Sequence, residues 1–143
     1  MYDSLKLENQ LCFPIYLCSK EIIRKYTPLL DKLNLTYTQY IVMLYLWEKG
    51  KGNVREIGKA ILLDSSTLTP LLKKLENKGY IKRERSNFDE RNLNISLTDK
   101  GSKLKDRAIN VPKEMGDCID LDESEAKEFG RLLYKILTSL EKE

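Results

Sequence analysis

Between Asp64 and Thr98 the sequence changes its period. In "SSTLTPLLKKLENKG", Leu68, Leu71, Leu72 and Leu75 fall at i, i+3, i+4 and i+7, which draws one apolar stripe down a helix. Asp64 or Ser65 supplies the start and Gly79 the stop. The pattern then switches to period two. "YIKRERS" and "LNISLT" alternate, with the polar "NFDERN" between them, and this is a β-hairpin. A helix with one buried face running directly into a hairpin leaves few folds open.

Helices flank this unit. The segment from Leu5 to about Lys32 is expected to be helical, with Leu11, Ile15, Ile22 and Ile23 apolar and Pro14 interrupting it. Thr38 is expected to cap "TQYIVMLYLWEKG", which Gly50 ends, and Asn53 to cap the short helix "VREIGKAI", with Val54, Ile57 and Ile61 inward. Thr98 opens "TDKGSKLKDRAI", and Pro112 and Gly116 are expected to break or bend the next segment. Asp122 with Glu125 makes a capping box for the last helix. There Ala126, Phe129, Leu132, Leu133, Ile136, Leu137 and Leu140 form a wide apolar stripe.

Composition narrows the function. The chain has no histidine, so the commonest general base and metal ligand is missing and Ser-His or Cys-His nucleophiles are excluded. No glycine-rich phosphate loop is present. Three cysteines without a C-x-x-C pair indicate neither a disulfide framework nor a zinc site. The expectation is a protein that is not an enzyme and needs no cofactor. No apolar run reaches membrane-spanning length and the N-terminus lacks a secretory pattern, so the expected location is the cytoplasm, without membrane contact. Residues 51–105 hold 13 Lys/Arg against 7 Asp/Glu, whereas 106–143 hold 6 against 10. A basic middle suggests a polyanionic partner, although a mixed solvated surface gives the same count.

Short helices followed by a hairpin with basic residues outward describe a winged helix-turn-helix, mainly α with a small β wing. The second helix of the turn would enter a DNA major groove. Opposite its leucine stripe lie Ser66, Pro70 and Lys73, flanked by Thr67, Thr69 and Lys74, with Ser65 at the start. Hydroxyls bond bases or phosphates, and lysines neutralise phosphates. The hairpin carries Arg83, Arg85 and Arg91 toward the neighbouring backbone or minor groove. Any one of these residues alone reads as a polar, solvated face, but the whole run does not, because order, charge and element types agree.

The run "LDSSTLTPLLKKLENKGYIKRERSNFDERNLNISLTDKG" resembles the core of the MarR family of winged-helix regulators, and the resemblance extends over nearly the whole chain. It implies that Asp89 positions Arg91 in the minor groove. It also implies a homodimer on a pseudo-palindromic double-stranded operator, with interleaved first and last helices. One domain would then cover 1–143, with 1–35 and 105–143 as dimerisation helices and 36–104 as the DNA-binding region. The opening "NQLCFPIYLCSKEIIRKY" is similar to the organic hydroperoxide resistance branch. That likeness implies a peroxide-sensing Cys12 whose thiolate is hydrogen-bonded by Tyr16, Tyr26 and Tyr37. In some members a second cysteine resolves the oxidised thiol between subunits, and Cys118 lies in the corresponding region.

Spacing constrains how those residues could meet. Tyr16 is one helical turn from Cys12 and shares its face. Tyr26 lies 14 residues on, about 21 Å along one helix, so it could reach Cys12 only from an antiparallel second subunit. A kink at Pro14, or a helix beginning there, would put Cys12 near a helix N-terminus, which favours an anion. Free cysteines are more often inert filler, and Cys18, on another face, reads as packing. The expected function is a repressor that an organic hydroperoxide releases from DNA by oxidising Cys12 to a sulfenic acid. That acid would then be capped by a small thiol or by Cys118. A regulator of the same fold released by a small aromatic acid, with Cys12 as filler, is the alternative. A thiol peroxidase fits the charge pattern poorly, and a constitutive DNA binder predicts no redox response.

Overall fold

The computed structural model describes residues 2–85 and 93–141. Two 3₁₀ turns, Asp3–Leu5 and Leu7–Asn9, precede helix α1, Cys12–Asp31. Then come α2 (Tyr37–Lys49), strand β1 (Lys51–Asn53), α3 (Val54–Ile61), α4 (Ser65–Asn77), β2 (Ile81–Arg85), β3 (Leu93–Leu97), α5 (Asp99–Ala108), α6 (Val111–Cys118) and α7 (Glu123–Leu140). The architecture is mainly α with a small antiparallel sheet, as the periodicities predict.

The chain divides into two compact units, Met1–Val111 and Pro112–Glu143. In the first, one core gathers Leu30, Val42, Met43, Leu46, Ile57, Leu68, Leu72, Leu75, Ile81 and Ile95. All four leucines of the α4 stripe are buried. In the second, α7 starts at the expected capping box: the Asp122 carboxylate accepts from the Glu125 amide, and the Glu125 carboxylate accepts from the Asp122 amide.

Several expectations change in detail. The first helix starts at Cys12, so Pro14 sits in its first turn, where the missing N–H costs nothing. Pro28 lies inside the helix, in its last turn, where it has no N–H to offer the Arg24 carbonyl. The cap of α2 is Thr36, not Thr38, because only Thr36 has a glutamine three residues on to complete a capping box. Pro112 and Gly116 do not break the chain. The proline occupies the first turn of α6 and the glycine lies inside it. The hairpin is part of a three-stranded sheet of order β1-β3-β2. In it Lys51 pairs with Ser96 and Asn53 with Asn94.

Asn53, Asp64 and Thr98 cap α3, α4 and α5 through their side chains. The turn between α3 and α4 contains Leu62 in the left-handed region at φ 56°. Gly101, in the first turn of α5, is a packing requirement. A Cβ there would fall 2.0 Å from the Tyr80 carbonyl oxygen.

Candidate nucleic-acid interface and thiol site

Helix α4 presents the expected face. Ser65, Ser66, Thr67, Pro70, Lys73 and Lys74 are exposed, and Thr69 is half-buried. Asp64 organises its N-terminus. One carboxylate oxygen accepts from the Ser66 hydroxyl at 2.7 Å and from the Thr67 amide at 2.8 Å. These bonds, the Ser66 hydroxyl first, hold the Asp64 carboxyl below its ordinary range.

The wing behaves less uniformly. Arg85 is exposed, but Arg83 is not free to reach a phosphate. Its Nε and Nη2 donate to Glu76 Oε1 at 3.1 and 2.9 Å, and its amide donates to Glu76 Oε2 at 3.2 Å. The register explains this. Arg83 stands opposite buried Ile95 and two residues from buried Ile81, so strand alternation turns its side chain to the inner face. There it ties β2 to α4, and its guanidinium holds the Glu76 carboxyl below the ordinary carboxylate range. Asp89 and Arg91 lie outside the described residues.

A second set of contacts fixes α4 and the sheet against the end of α1. The carbonyls of Lys32, Leu33 and Asn34 each accept from a residue far along the chain. Arg107 Nη2 donates to Lys32, the Tyr80 hydroxyl to Leu33 at 2.9 Å, and Lys78 Nζ to Asn34 at 2.7 Å. Lys78 also donates to the buried Gln39 side chain at 2.8 Å. Burial, then repulsion from Lys74, lowers the Lys78 ammonium below its ordinary range. Sequence reasoning missed these anchors. Each is a single long-range donor with no periodic signature.

The thiol residues fall into two groups. Cys12 is exposed as the first residue of α1, and Tyr16, one turn on, is exposed with Lys20 Nζ 5.6 Å from its ring centre. Tyr26 and Tyr37 lie together with ring centres 4.8 Å apart, and both pack on Tyr40, at 5.8 and 6.3 Å. Because α1 is one continuous helix, Tyr26 stands about 21 Å along it from Cys12. Burial raises the Tyr26 hydroxyl above its ordinary range, with Tyr37 adding to it. Tyr40, unmarked by the sequence reading, is pushed up to about 12, by burial first and then by Tyr26 and Tyr37. Cys18 and Cys118 are exposed.

Between the 3₁₀ turns and the start of α1 an open groove of about 730 Å³ is lined by Leu5, Leu7, Phe13, Pro14 and Leu17, with Lys6, Glu8 and Gln10; Cys12 does not line it. No group of three or more His, Cys, Asp or Glu among the described residues could hold a metal ion.

Comparison with known proteins agrees with this geometry. The family model of the transcriptional regulator SarA/Rot matches residues 24–108. The organic hydroperoxide resistance transcriptional regulator of Bacillus subtilis is 45% identical over 98% of this chain and 93% of its own. The HTH-type transcriptional regulator SarZ of Staphylococcus saprophyticus is 51% identical over 84% of this chain and 82% of its own. Among solved structures, reduced AbfR bound to DNA superposes with a TM-score of 0.84 at 34% identity, covering 97% of this chain and 95% of that one. The disulfide-formed AbfR gives 0.64 at 36%, covering 97% and 92%; AbfR is a Staphylococcus epidermidis protein. A matching family model over more than half the sequence and close relatives along nearly its full length make this chain a member of the SarA/Rot family of transcriptional regulators, with a winged helix of MarR type.

Proposed function

We propose that this chain is a cytoplasmic, homodimeric DNA-binding repressor that senses organic hydroperoxides through Cys12 and then releases its operator. The observation that carries the reading is the split thiol site. An exposed cysteine opens α1, and a packed tyrosine pair stands at the helix's far end. An antiparallel α1 from a second copy would bring the partner's Cys12 beside this chain's Tyr26 and Tyr37. The 45% identity to a regulator named for organic hydroperoxide resistance points the same way. The exposed stripe of α7, with Phe129 at 45% and Leu140 at 67%, supports a dimer.

The chemistry follows from the groups present. Tyrosine hydroxyls donate hydrogen bonds that stabilise a thiolate, and a helix N-terminus favours negative charge. The Cys12 sulfur attacks the terminal oxygen of the hydroperoxide. An S–O bond forms and the O–O bond breaks. The alkoxide takes a proton and leaves as an alcohol, and Cys12 is left as the sulfenic acid. A low-molecular-weight thiol, or Cys118 of the second subunit, then displaces water to form a disulfide. Reduced protein would hold double-stranded DNA through α4, with Ser65, Ser66, Thr67, Thr69, Pro70, Lys73 and Lys74 facing the major groove and Arg85 and Arg91 at the flanks. Arg83 acts indirectly by fixing the wing to α4.

A second reading rests on a groove of about 390 Å³ with Tyr80 and Leu104 at its floor and Lys100, Lys103 and Arg107 around it. It would suit a small aromatic acid as the releasing signal. One titration decides between them: operator binding at fixed salt, before and after one equivalent of cumene hydroperoxide. The redox reading expects wild type to weaken about tenfold or more and Cys12→Ser to bind equally in both states. Undiminished binding by treated wild type contradicts it, and release of Cys12→Ser by an aromatic acid establishes the second.

A further inference from the structure

We infer that Pro70 is a specificity-determining residue that packs against the C5-methyl group of a thymine in the operator's major groove. The inference rests on α4 as the recognition helix and goes beyond it in naming one residue and one base.

Pro70 is the sixth residue of α4, past the first turn where proline is tolerated. It has no N–H to offer the Ser66 carbonyl, and its ring crowds that carbonyl. Yet the helix continues for seven more residues, to Asn77, so Pro70 does not serve to end it. It does not serve the core either. Pro70 is exposed, while Leu68, Leu71, Leu72 and Leu75 on the other side are buried. At about 100° per residue it sits at the centre of the exposed arc, with Ser66, Thr67, Lys73 and Lys74 each within about 60°. A residue that weakens its own helix and packs on nothing within the fold is explained by what that face meets.

The chemistry of the face selects the ligand. The Ser66 hydroxyl already donates to Asp64. Lys73 and Lys74 have the reach of phosphate contacts. At the centre is a rigid apolar ring without a donor, flanked toward the helix N-terminus by the small Ser66 and Thr67, which permit close approach, and toward the C-terminus by Lys73 and Lys74. Of the four bases only thymine offers an apolar group, its methyl, in the major groove.

The test uses the full-length reduced protein and duplexes it selects from a random library. Each thymine of the selected site is replaced singly by deoxyuridine, which removes only the methyl. The expected result is one thymine per half-site where wild type loses about fourfold in affinity, as burial of one methyl implies. Pro70→Ser, whose Cβ carries a polar hydroxyl, should lose nothing at that position, and Pro70→Ala, which offers one apolar methyl, should fall between. Both variants restore the backbone N–H, and far-UV circular dichroism checks their helicity. The inference is overturned if wild type tolerates deoxyuridine everywhere, or if Pro70→Ser shows the same loss. Failure to enrich any sequence removes the recognition-helix reading as well. Enrichment without methyl dependence removes this inference alone.

Discussion

Leu72 in α4 and Leu132 in α7 are the same residue on the apolar stripes of amphipathic helices, yet Leu72 is 1% exposed and Leu132 41%. The difference separates two kinds of region. From α2 to α5 the helices carry side-chain N-caps, their stripes are buried, and the ends are tied by long-range donors such as Tyr80 and Lys78. This is a finished fold. In the first turns of α1, and separately along α7, the helices are as well formed but their apolar residues stay open, Ile15 at 40% and Phe129 at 45% among them. Exposed apolar faces of this kind mark surfaces for a partner. A single copy of this regulator thus buries the core of the helix-turn-helix and leaves the proposed sensing site in pieces.

Damage to each region separately shows what each one supplies. Gly101→Ala drives a Cβ into the Tyr80 carbonyl oxygen. It should destabilise the fold by about 3 kcal/mol, read as a lowered midpoint in urea. A neutral result would mean that the finished region has more slack than its packing shows. Leu132→Glu in α7 should leave helicity nearly unchanged and shift sedimentation toward the monomer, weakening the dimer by about 2 kcal/mol or more. If it unfolds the chain instead, α7 is core and the contrast fails.

Legibility in the sequence divides along related lines. The α4 stripe, the Asn53, Thr98 and Asp122 caps and the paired strands β2 and β3 are legible because each rests on a local period or a short fixed spacing. Strand β1 is not, since "KGN" has neither alternation nor apolar content and exists only by pairing with β3. Arg83 reads as a DNA contact by charge alone, although parity with Ile81 turns it inward. The tyrosine pair is visible as residue types at a spacing, but its packing on Tyr40 depends on how α1 and α2 meet.

Two smaller effects belong to the first unit. Leu62 holds a left-handed conformation and is 56% exposed. Leu62→Gly should therefore raise stability by about 1 kcal/mol, seen in the same urea titration, and a loss would show that its side chain makes contacts that matter. Tyr40 gives a pH signature. Its hydroxyl is pushed up to about 12 from the ordinary 10.0, so the unfolded chain gives up this proton first and stability falls as pH rises from the lower value toward the higher. Tyr40→Phe should flatten that part of the curve, and ultraviolet titration of the wild type should show a late-ionising tyrosine.

Mixed dimers show whether the sensing site is assembled from two copies. Cys12→Ser protomers supply Tyr26 and Tyr37 but no thiol. Protomers carrying Tyr26→Phe and Tyr37→Phe supply the thiol but no hydroxyls. Each homodimer should be slow or inert toward cumene hydroperoxide, and each mixed dimer should contain one complete site. Mixing is expected to restore rapid modification of Cys12 in the tyrosine-variant protomers, measured by intact mass. Modification no faster in the mixture than in the homodimers would contradict a shared site.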